Sequence, residues 1–148
     1  MAKKIAANLL WFKRDLRTVD HAALAEASKS PLPLLPFYLY EEAYWQKPFA
    51  SFRHWSFIHD CLLELNQALS ALGAPLIMRQ GEIIATLSQF IDNYQIIGLY
   101  AHQETGNDFT FKRDIKVRKF CAEQKIAFYE LPNNGVIRGL KDRDLWSK

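Results

Sequence analysis

A dense group of charged side chains follows the first apolar run of this sequence. Residues 9–12 end in Trp11 and Phe12, and Lys13, Arg14, Asp15 and Arg17 come directly afterwards. Such a group could orient a bound molecule or a partner through charge-assisted hydrogen bonds. It could equally form a salt-bridge network that stiffens the turn, because Asp15 has three cations near it in sequence. We keep both interpretations.

A second polar segment lies about 90 residues later and contains His102, Glu104 and Asn107. These three side chains could hold a heterocyclic ring by hydrogen bonds, while Trp11 or Tyr38 packs on it. The competing interpretation is ordinary strand-to-helix turn chemistry, in which Thr105, Asn107 or Asp108 caps the next helix.

Short apolar strands alternate with amphipathic helices along the chain. Strands are predicted at residues 5–12, 32–40, 75–80, 95–102 and 126–131, and helices at residues 21–28, 51–72, 82–94 and 109–125. This alternation, without hairpin signals, predicts an α/β fold: a three-layer, doubly wound (Rossmann-like) domain with a five-stranded parallel sheet. Ligands of such sheets bind outside the carboxyl ends of the strands. Both polar segments are therefore expected at one edge.

Two stability predictions come from the helices. The longest helix has an apolar stripe at spacings of three and four: Trp55, Ile58, Leu62, Leu65, Leu69 and Leu72. Replacing Leu65 by alanine is expected to cost about 2–5 kcal/mol, because it empties a core position. Asp20 is predicted to be the N-cap of the first helix, so that Asp20→Ala costs about 0.5–2 kcal/mol.

Composition and charge limit the function classes. The 148 residues suffice for one domain, and a net charge of +3 is too mild to argue nucleic-acid binding. The aromatic share of 14% suits a chromophore or base-stacking site, but an ordinary core is the favoured explanation. The most basic stretch is interpreted as a solvated helix face, with DNA binding as the minority interpretation; its cations are Lys112, Arg113, Lys116, Arg118 and Lys119.

Several known fingerprints are missing from the sequence. It has no glycine-rich dinucleotide or phosphate-binding loop, no nucleophile elbow and no histidine pair at metal-ligand spacing. No signal peptide and no apolar run of about 20 residues is present. Cys61 and Cys121 are far apart and are interpreted as reduced thiols, so a cytoplasmic location is expected.

The first polar segment resembles the amino-terminal signature of the DNA photolyase/cryptochrome family. The family pattern, Trp-Phe-(Arg/Lys)-x-Asp-Leu-Arg-x-x-Asp, extends here from Trp11 to Asp20. Two positions depart from the usual residues: Lys13 stands where arginine is common, and His21 stands where asparagine is common. Two further blocks are similar to one bacterial branch of the family. They are residues 102–107 with Arg113, Asp114 and Val117, and residues 134–144 at the end of the α/β domain.

The resemblance implies a division into residues 1–131, an amino-terminal α/β domain, and residues 132–148, the start of a linker. A helical domain that holds FAD would follow. It also implies light-driven pyrimidine-dimer repair in a full-length protein, contact with DNA only through that protein, and no catalysis by this chain alone. The candidate cofactor-binding residues are Trp11, Lys13, Arg14, Asp15, Tyr38, His102, Glu104 and Asn107, and no catalytic or metal-binding residue is assigned.

An antenna chromophore, a folate or a deazaflavin, is the cofactor that the resemblance implies for the α/β domain. By this resemblance, the Asn-Glu pair of folate-type photolyases corresponds to Phe109 and Thr110 of this chain. Glu104, Asn107 or Asp108, one turn earlier, is the alternative equivalent if the loop alignment shifts. We therefore expect the isolated chain to carry no folate. The alternatives are a stand-alone nucleotide-binding module or a protein-interaction module of the same fold. Repair and signalling, and the oligomeric state, stay open.

Overall fold

The computed structural model describes residues 2–133 and residue 141. Its five strands form one fully parallel sheet in the order β3-β2-β1-β4-β5, which confirms the predicted fold class. Their bounds are β1 Ile5–Phe12, β2 Leu34–Tyr40, β3 Ile77–Gln80, β4 Tyr94–His102 and β5 Ala127–Leu131. The proposed linker, residues 132–148, lies almost entirely outside the described residues.

Helices cover both faces of the sheet. Their bounds are α1 Ala22–Ala27, α2 Glu42–Trp45, α3 Phe52–Ala71, α4 Ile83–Asn93 and α5 Asp108–Glu123. Because β1 has β2 on one side and β4 on the other, the strand order reverses at the carboxyl ends of β1 and β4. The sequence predicted no α2, which occupies a segment assigned to a loop. Within the described part of the chain, no helix is long and apolar enough to cross a bilayer.

Alternate residues of each strand supply the two core layers. Trp11 and Phe37 face α4 and α5, where they pack with residues such as Leu87 and Val117. Phe12 and Tyr38 face the opposite way, toward α1 and α3. The period of two along β1 therefore sends Trp11 and Phe12 to opposite faces just before the polar turn begins.

Strand β2 begins earlier than its prolines suggested. The sequence predicts this strand within residues 32–40, and its prolines, which donate no ladder hydrogen bond, favour a start of the strand proper near Pro36 or Phe37. The strand instead begins at Leu34, with Pro36 opposite Leu10 of β1. Pairing with β3 starts only at Phe37, so Pro36 removes no donor from that second ladder.

The first helix is capped by His21, and the prediction that Asp20 is its N-cap was wrong. Asp20 has φ of +52°, in the left-handed region, so the chain enters the helix one residue later. His21 Nδ1 then accepts a hydrogen bond from the backbone N–H of Leu24 at 3.0 Å. A loss of stability through capping is therefore expected at His21 rather than at Asp20.

The apolar stripe of α3 is confirmed at its centre and fails at its end. Leu62, Leu65 and Leu69 are buried, whereas Leu72 is 71% exposed. The helix stops at Ala71 and Leu72 is its C-cap, so the periodicity no longer directs Leu72 to the core. Gly73 follows with φ of +83°, a left-handed conformation that glycine adopts without strain.

Leu65→Ala is expected to lower the free energy of unfolding by about 3 kcal/mol, because the side chain is 3% exposed against the sheet. Urea unfolding measures the effect. The matched control is Glu64→Ala on the exposed side of the same helix turn, for which we expect a change within about 0.5 kcal/mol. Equal losses in the two variants would contradict the assigned core face.

Candidate functional site

Asp15 lies at the centre of a buried hydrogen-bond cluster where the strand order reverses. Its Oδ1 accepts from the backbone N–H of Lys13 at 2.8 Å, and its Oδ2 lies 2.7 Å from His102 Nδ1. His21 Nε2 is 2.8 Å from the same Oδ2, although its approach is not aligned as a hydrogen bond. All three side chains are at most 5% exposed. We call Asp15, His21 and His102 the imidazole–carboxylate cluster.

The other nitrogen of each imidazole faces the start of α1. His21 Nδ1 accepts from Leu24 N–H, and His102 Nε2 accepts from Ala23 N–H at 3.4 Å. An acceptor nitrogen carries no proton, so the proton of each neutral ring lies on the nitrogen beside Asp15. Each ring therefore bridges a helix N–H group and one shared carboxylate.

The donor arrangement of the cluster argues against a metal centre. The three side chains offer ligand atoms within 4.8 Å of one another. A metal on His21 Nε2 would require the ring proton on Nδ1, where it would face the N–H of Leu24. The carboxylate instead takes the role of shared acceptor. Burial alone would raise the pKa of Asp15, but the His102, His21 and Lys13 contacts outweigh it and hold that pKa below its usual range.

A second buried cluster, the arginine cluster, centres on Arg113 of α5. Its guanidinium contacts Glu41 at 2.6 Å, Asp114 at 3.1 Å and Glu104. Asp114 also pairs with Lys13, whose Nζ lies 3.0 Å from Asp114 Oδ2. The two clusters meet at Lys13, because Nζ donates to the backbone carbonyl of His102 at 3.2 Å.

Both cations of this cluster lie over the indole ring of Trp11. Lys13 Nζ is 4.3 Å and Arg113 Cζ is 4.8 Å from a ring centroid of the indole. Burial lowers the pKa of Lys13 although Asp114 opposes the effect, and burial raises the pKa of Glu41 against the influence of Arg113. Burial alone would lower the pKa of Arg113, but the contacts with Glu41, Glu104 and Asp114 outweigh burial and raise that pKa.

Little open volume remains at the carboxyl ends of β1 and β4, where the sequence predicted a ligand site. We call this space the crevice. The cavity bounded by Trp11, Tyr38 and Arg113 measures only about 50 Å³. Arg14 closes its outer side, since Nε pairs with Glu104 Oε1 at 3.1 Å and the guanidinium donates to the Tyr44 hydroxyl at 3.2 Å. A planar ring of chromophore size does not fit into this volume without displacement of side chains.

A larger, mostly apolar groove lies just outside the crevice, between turn 13–20 and α3. Its volume is about 690 Å³, within the range of small-molecule sites. Its lining includes Arg14, Arg17, Tyr44, Trp45, Phe49, His54, Phe57, Cys61 and Asn107. On the other side of α2, a neighbouring depression of about 570 Å³ is lined by Phe49, Phe109 and Lys112, among others.

The candidate residues of the sequence analysis fall into three groups. Asp15 and His102 belong to the imidazole–carboxylate cluster, while Lys13, Trp11 and Glu104 belong to the arginine cluster. Tyr38 borders the small cavity. Arg14 and Asn107 reach the open groove, although Asn107 also caps α5 by accepting from Thr110 N–H at 3.1 Å.

Sequence reasoning missed four members of the two clusters, His21, Glu41, Arg113 and Asp114, and also Tyr44 of the groove. In the sequence, Arg113 and Asp114 belong to a family block, and Arg113 is also part of the basic stretch. Arg113 is 8% exposed, so the interpretation of that stretch as a solvated face was wrong at this position. Asp114 contacts Lys13 and Arg113, and Arg118 pairs with Glu130 of β5 at 2.6 Å. The sequence around Asp114 and Arg118 gave no signal for their contacts with other elements of the fold.

Comparison with known proteins decides the family. The family model described as DNA photolyase matches residues 8–139, which includes both polar segments. The chain belongs to the DNA photolyase family. It is 28% identical over 137 residues to cryptochrome DASH of Solanum lycopersicum, covering 87% of this chain and 22% of that protein. It is 27% identical over 135 residues to the deoxyribodipyrimidine photo-lyase of Alkalihalophilus pseudofirmus, covering 87% and 27%.

Solved structures agree with this membership. The archaeal photolyase of Sulfolobus tokodaii, described with two FAD molecules, superimposes with a TM-score of 0.77 at 28% identity, covering 86% of this chain and 29% of that one. A class III photolyase of Agrobacterium tumefaciens gives a TM-score of 0.74 at 20% identity and shows the shared fold. The chain thus spans about a quarter of the length of these relatives and corresponds to a photolyase amino-terminal domain.

Proposed function

We propose that this chain is the light-harvesting and scaffold domain of a photolyase- or cryptochrome-type flavoprotein, and that it does not catalyse repair alone. The observation that supports this most directly is the family match over residues 8–139 in a chain that spans about a quarter of its relatives. FAD binding, DNA contact and dimer repair are assigned to the helical domain of a full-length protein. The cytoplasm is the proposed location.

The groove beside α2 is the proposed antenna site. Rings of Tyr44, Trp45 and Phe49 contact one another along it, with Tyr44–Trp45 centroids 5.3 Å and Tyr44–Phe49 centroids 5.1 Å apart. Aromatic faces and the Arg14 and Arg17 side chains suit a planar heterocycle with a polar tail. The buried residues of the imidazole–carboxylate cluster and of the arginine cluster are proposed to support the groove from inside. Glu104 acts through its ion pair with Arg14, which lines the groove.

Absorption and fluorescence titration test the antenna assignment. We expect the purified 148-residue chain to show no chromophore band in the near-UV, because the groove is open on one side. Addition of 5,10-methenyltetrahydrofolate, 8-hydroxy-5-deazaflavin or FAD should then quench tryptophan fluorescence in a saturable manner for at least one compound. The deazaflavin is the favoured antenna, since Phe109 and Thr110 lack the polar pair of folate-type sites.

Two phenylalanines provide the matched variants for this titration. Phe49→Ala removes a ring from the groove and is expected to weaken binding at least about fivefold. Phe52→Ala removes a ring that is 83% exposed outside the groove and should leave binding unchanged. Absence of saturable quenching with all three compounds would contradict the light-harvesting assignment, as would tight FAD binding that is insensitive to Phe49→Ala.

A further inference from the structure

Two tyrosines lie side by side on neighbouring strands, on the sheet face that carries α1 and α3. Tyr100 of β4 is the register partner of Tyr129 of β5, and their rings stack with centroids 4.5 Å apart and planes inclined by 15°. Residues 2–133 hold all six tyrosines of the chain, and no other two of these tyrosines form a ring contact. We call Tyr100 and Tyr129 the tyrosine pair.

Gly98 leaves room beside the tyrosine pair at two equivalent ring carbons. A Cβ atom on Gly98 would lie 3.2 Å from Cε2 of Tyr100 and 3.3 Å from Cε2 of Tyr129. Each Cε2 is ortho to the hydroxyl of its ring, and the ortho carbons of a phenoxyl radical carry much of its unpaired electron. The two carbons that are most reactive toward radical coupling therefore converge on the same point of β4.

One ring of the pair is accessible from solvent. Tyr129 is 45% exposed, whereas Tyr100 is 8% exposed. β5 is the edge strand of the sheet, so no further strand of the described residues covers its outer side. Burial, Tyr129 and Glu26 raise the pKa of Tyr100, so this phenol keeps its proton at neutral pH until it is oxidised. An oxidant in solution can therefore take one electron from Tyr129 directly and one from Tyr100 through the stacked rings.

We propose that Tyr100 and Tyr129 are an oxidative modification site, at which a light-generated one-electron oxidant joins the two rings as dityrosine. Each ring gives one electron to the oxidant and its phenol proton to water, which leaves two phenoxyl radicals. The radicals form one carbon–carbon bond between ortho positions. The hydrogen on each coupled carbon then moves to the ring oxygen and restores the hydroxyl. The chain loses two hydrogen atoms in total, and the step requires no bound chromophore.

The cross-link would fix the edge of the sheet. β5 has a neighbouring strand on one side only, and the new bond adds a covalent link to its ladder with β4. Local opening of an edge strand exposes its amides to exchange with solvent. We expect the amides of residues 127–131 to exchange more slowly in the oxidised chain than in the untreated chain. Equal exchange in the two samples would contradict this locking effect.

Visible-light oxidation with tris(bipyridine)ruthenium(II) and persulfate tests the site, with persulfate as the final acceptor of both electrons. In dilute solution we expect dityrosine fluorescence within single chains and a mass lower by two hydrogen atoms. Peptide mapping should find Tyr100 joined to Tyr129. A main product that joins any other two tyrosines, or dityrosine that forms only between chains, overturns the proposal.

Three variants separate this site from general oxidation. Tyr129→Phe keeps the stacked ring but lacks the phenol, and it should abolish the cross-link. Tyr94→Phe, at the start of β4, is the matched control and should leave the yield unchanged. Gly98→Ala keeps both phenols but places a methyl group against both Cε2 atoms, so the yield should fall. Circular dichroism verifies that each variant is folded. An undiminished yield in Tyr129→Phe, or in folded Gly98→Ala, overturns the proposal.

Discussion

Arg113→Met is expected to lower the free energy of unfolding by about 5 kcal/mol, the largest effect of any single substitution described for this chain. The guanidinium contacts Glu41, Glu104 and Asp114, and its side chain is 9% exposed. Removing one partner of a buried ion pair costs about 3–5 kcal/mol, because it leaves an uncompensated charge. Here three carboxylates lose a shared cation, which places the loss at the upper end. Urea unfolding at pH 7 measures it.

The matched control for this variant is Arg118→Met on the same helix. Among residues 2–133, the ion-pair partner of Arg118 is Glu130. Its side chain is 39% exposed, and a loss below about 1 kcal/mol is expected. A pH series adds a second criterion. Burial already raises the pKa of Glu41 while Arg113 opposes it, so loss of Arg113 raises that pKa further and the deficit should be larger at pH 8 than at pH 5. Similar losses for both variants, or a deficit that grows toward pH 5, would contradict the arginine cluster.

Asp15→Asn is expected to lower the free energy of unfolding by about 4 kcal/mol at pH 7. The amide keeps the shape of the side chain but places an N–H donor against the Nδ1–H donor of His102, and it removes the negative charge that faces His21. Each buried donor left without a partner costs about 1–3 kcal/mol. Asp60→Asn on α3 is the control: its carboxylate is 75% exposed, and a change within about 0.5 kcal/mol is expected.

The pH dependence of this deficit has a defined sign. The pKa of Asp15 is held below its usual range in the folded chain, so the unfolded chain binds a proton first as the pH falls. The contribution of Asp15 is therefore complete above about pH 5 and declines as the pH drops below about 4. Urea unfolding of wild type and Asp15→Asn at pH 7, 5, 4 and 3 should show converging stabilities. A constant difference down to pH 3 would refute the assigned pKa direction.

The sheet was predictable from sequence because each strand is short, apolar and separated by a helical pattern. The errors lie where tertiary contacts override local rules. Pro36 suggested a late start for β2, yet no second ladder runs beside it. Asp20 is a good capping residue by type, but its left-handed backbone passes that role to His21.

The site was predictable in position and only partly in composition. The carboxyl ends of β1 and β4 brought Asp15 and His102 together, 87 residues apart, as the fold class implied. Pairing of Arg113 with Glu41 depends on which face of α5 meets α2, and helix periodicity in a weakly amphipathic segment does not specify that face. The crevice was expected to be open, but side chains of the chain itself fill it. This filling was not predictable, because it includes Arg113 of α5.

The arginine cluster and its neighbours also limit what can dock at this edge. The linked side chains carry three positive and three negative formal charges: Lys13, Arg14 and Arg113 against Glu41, Glu104 and Asp114. An anionic group that enters the crevice must therefore exchange with a resident carboxylate, since no net positive charge is available to receive it. A neutral ring in the outer groove requires no such exchange. The crevice thus behaves as a closed ionic shell, and the polar tail of a bound ring is left to the outer groove, which Arg17 also lines.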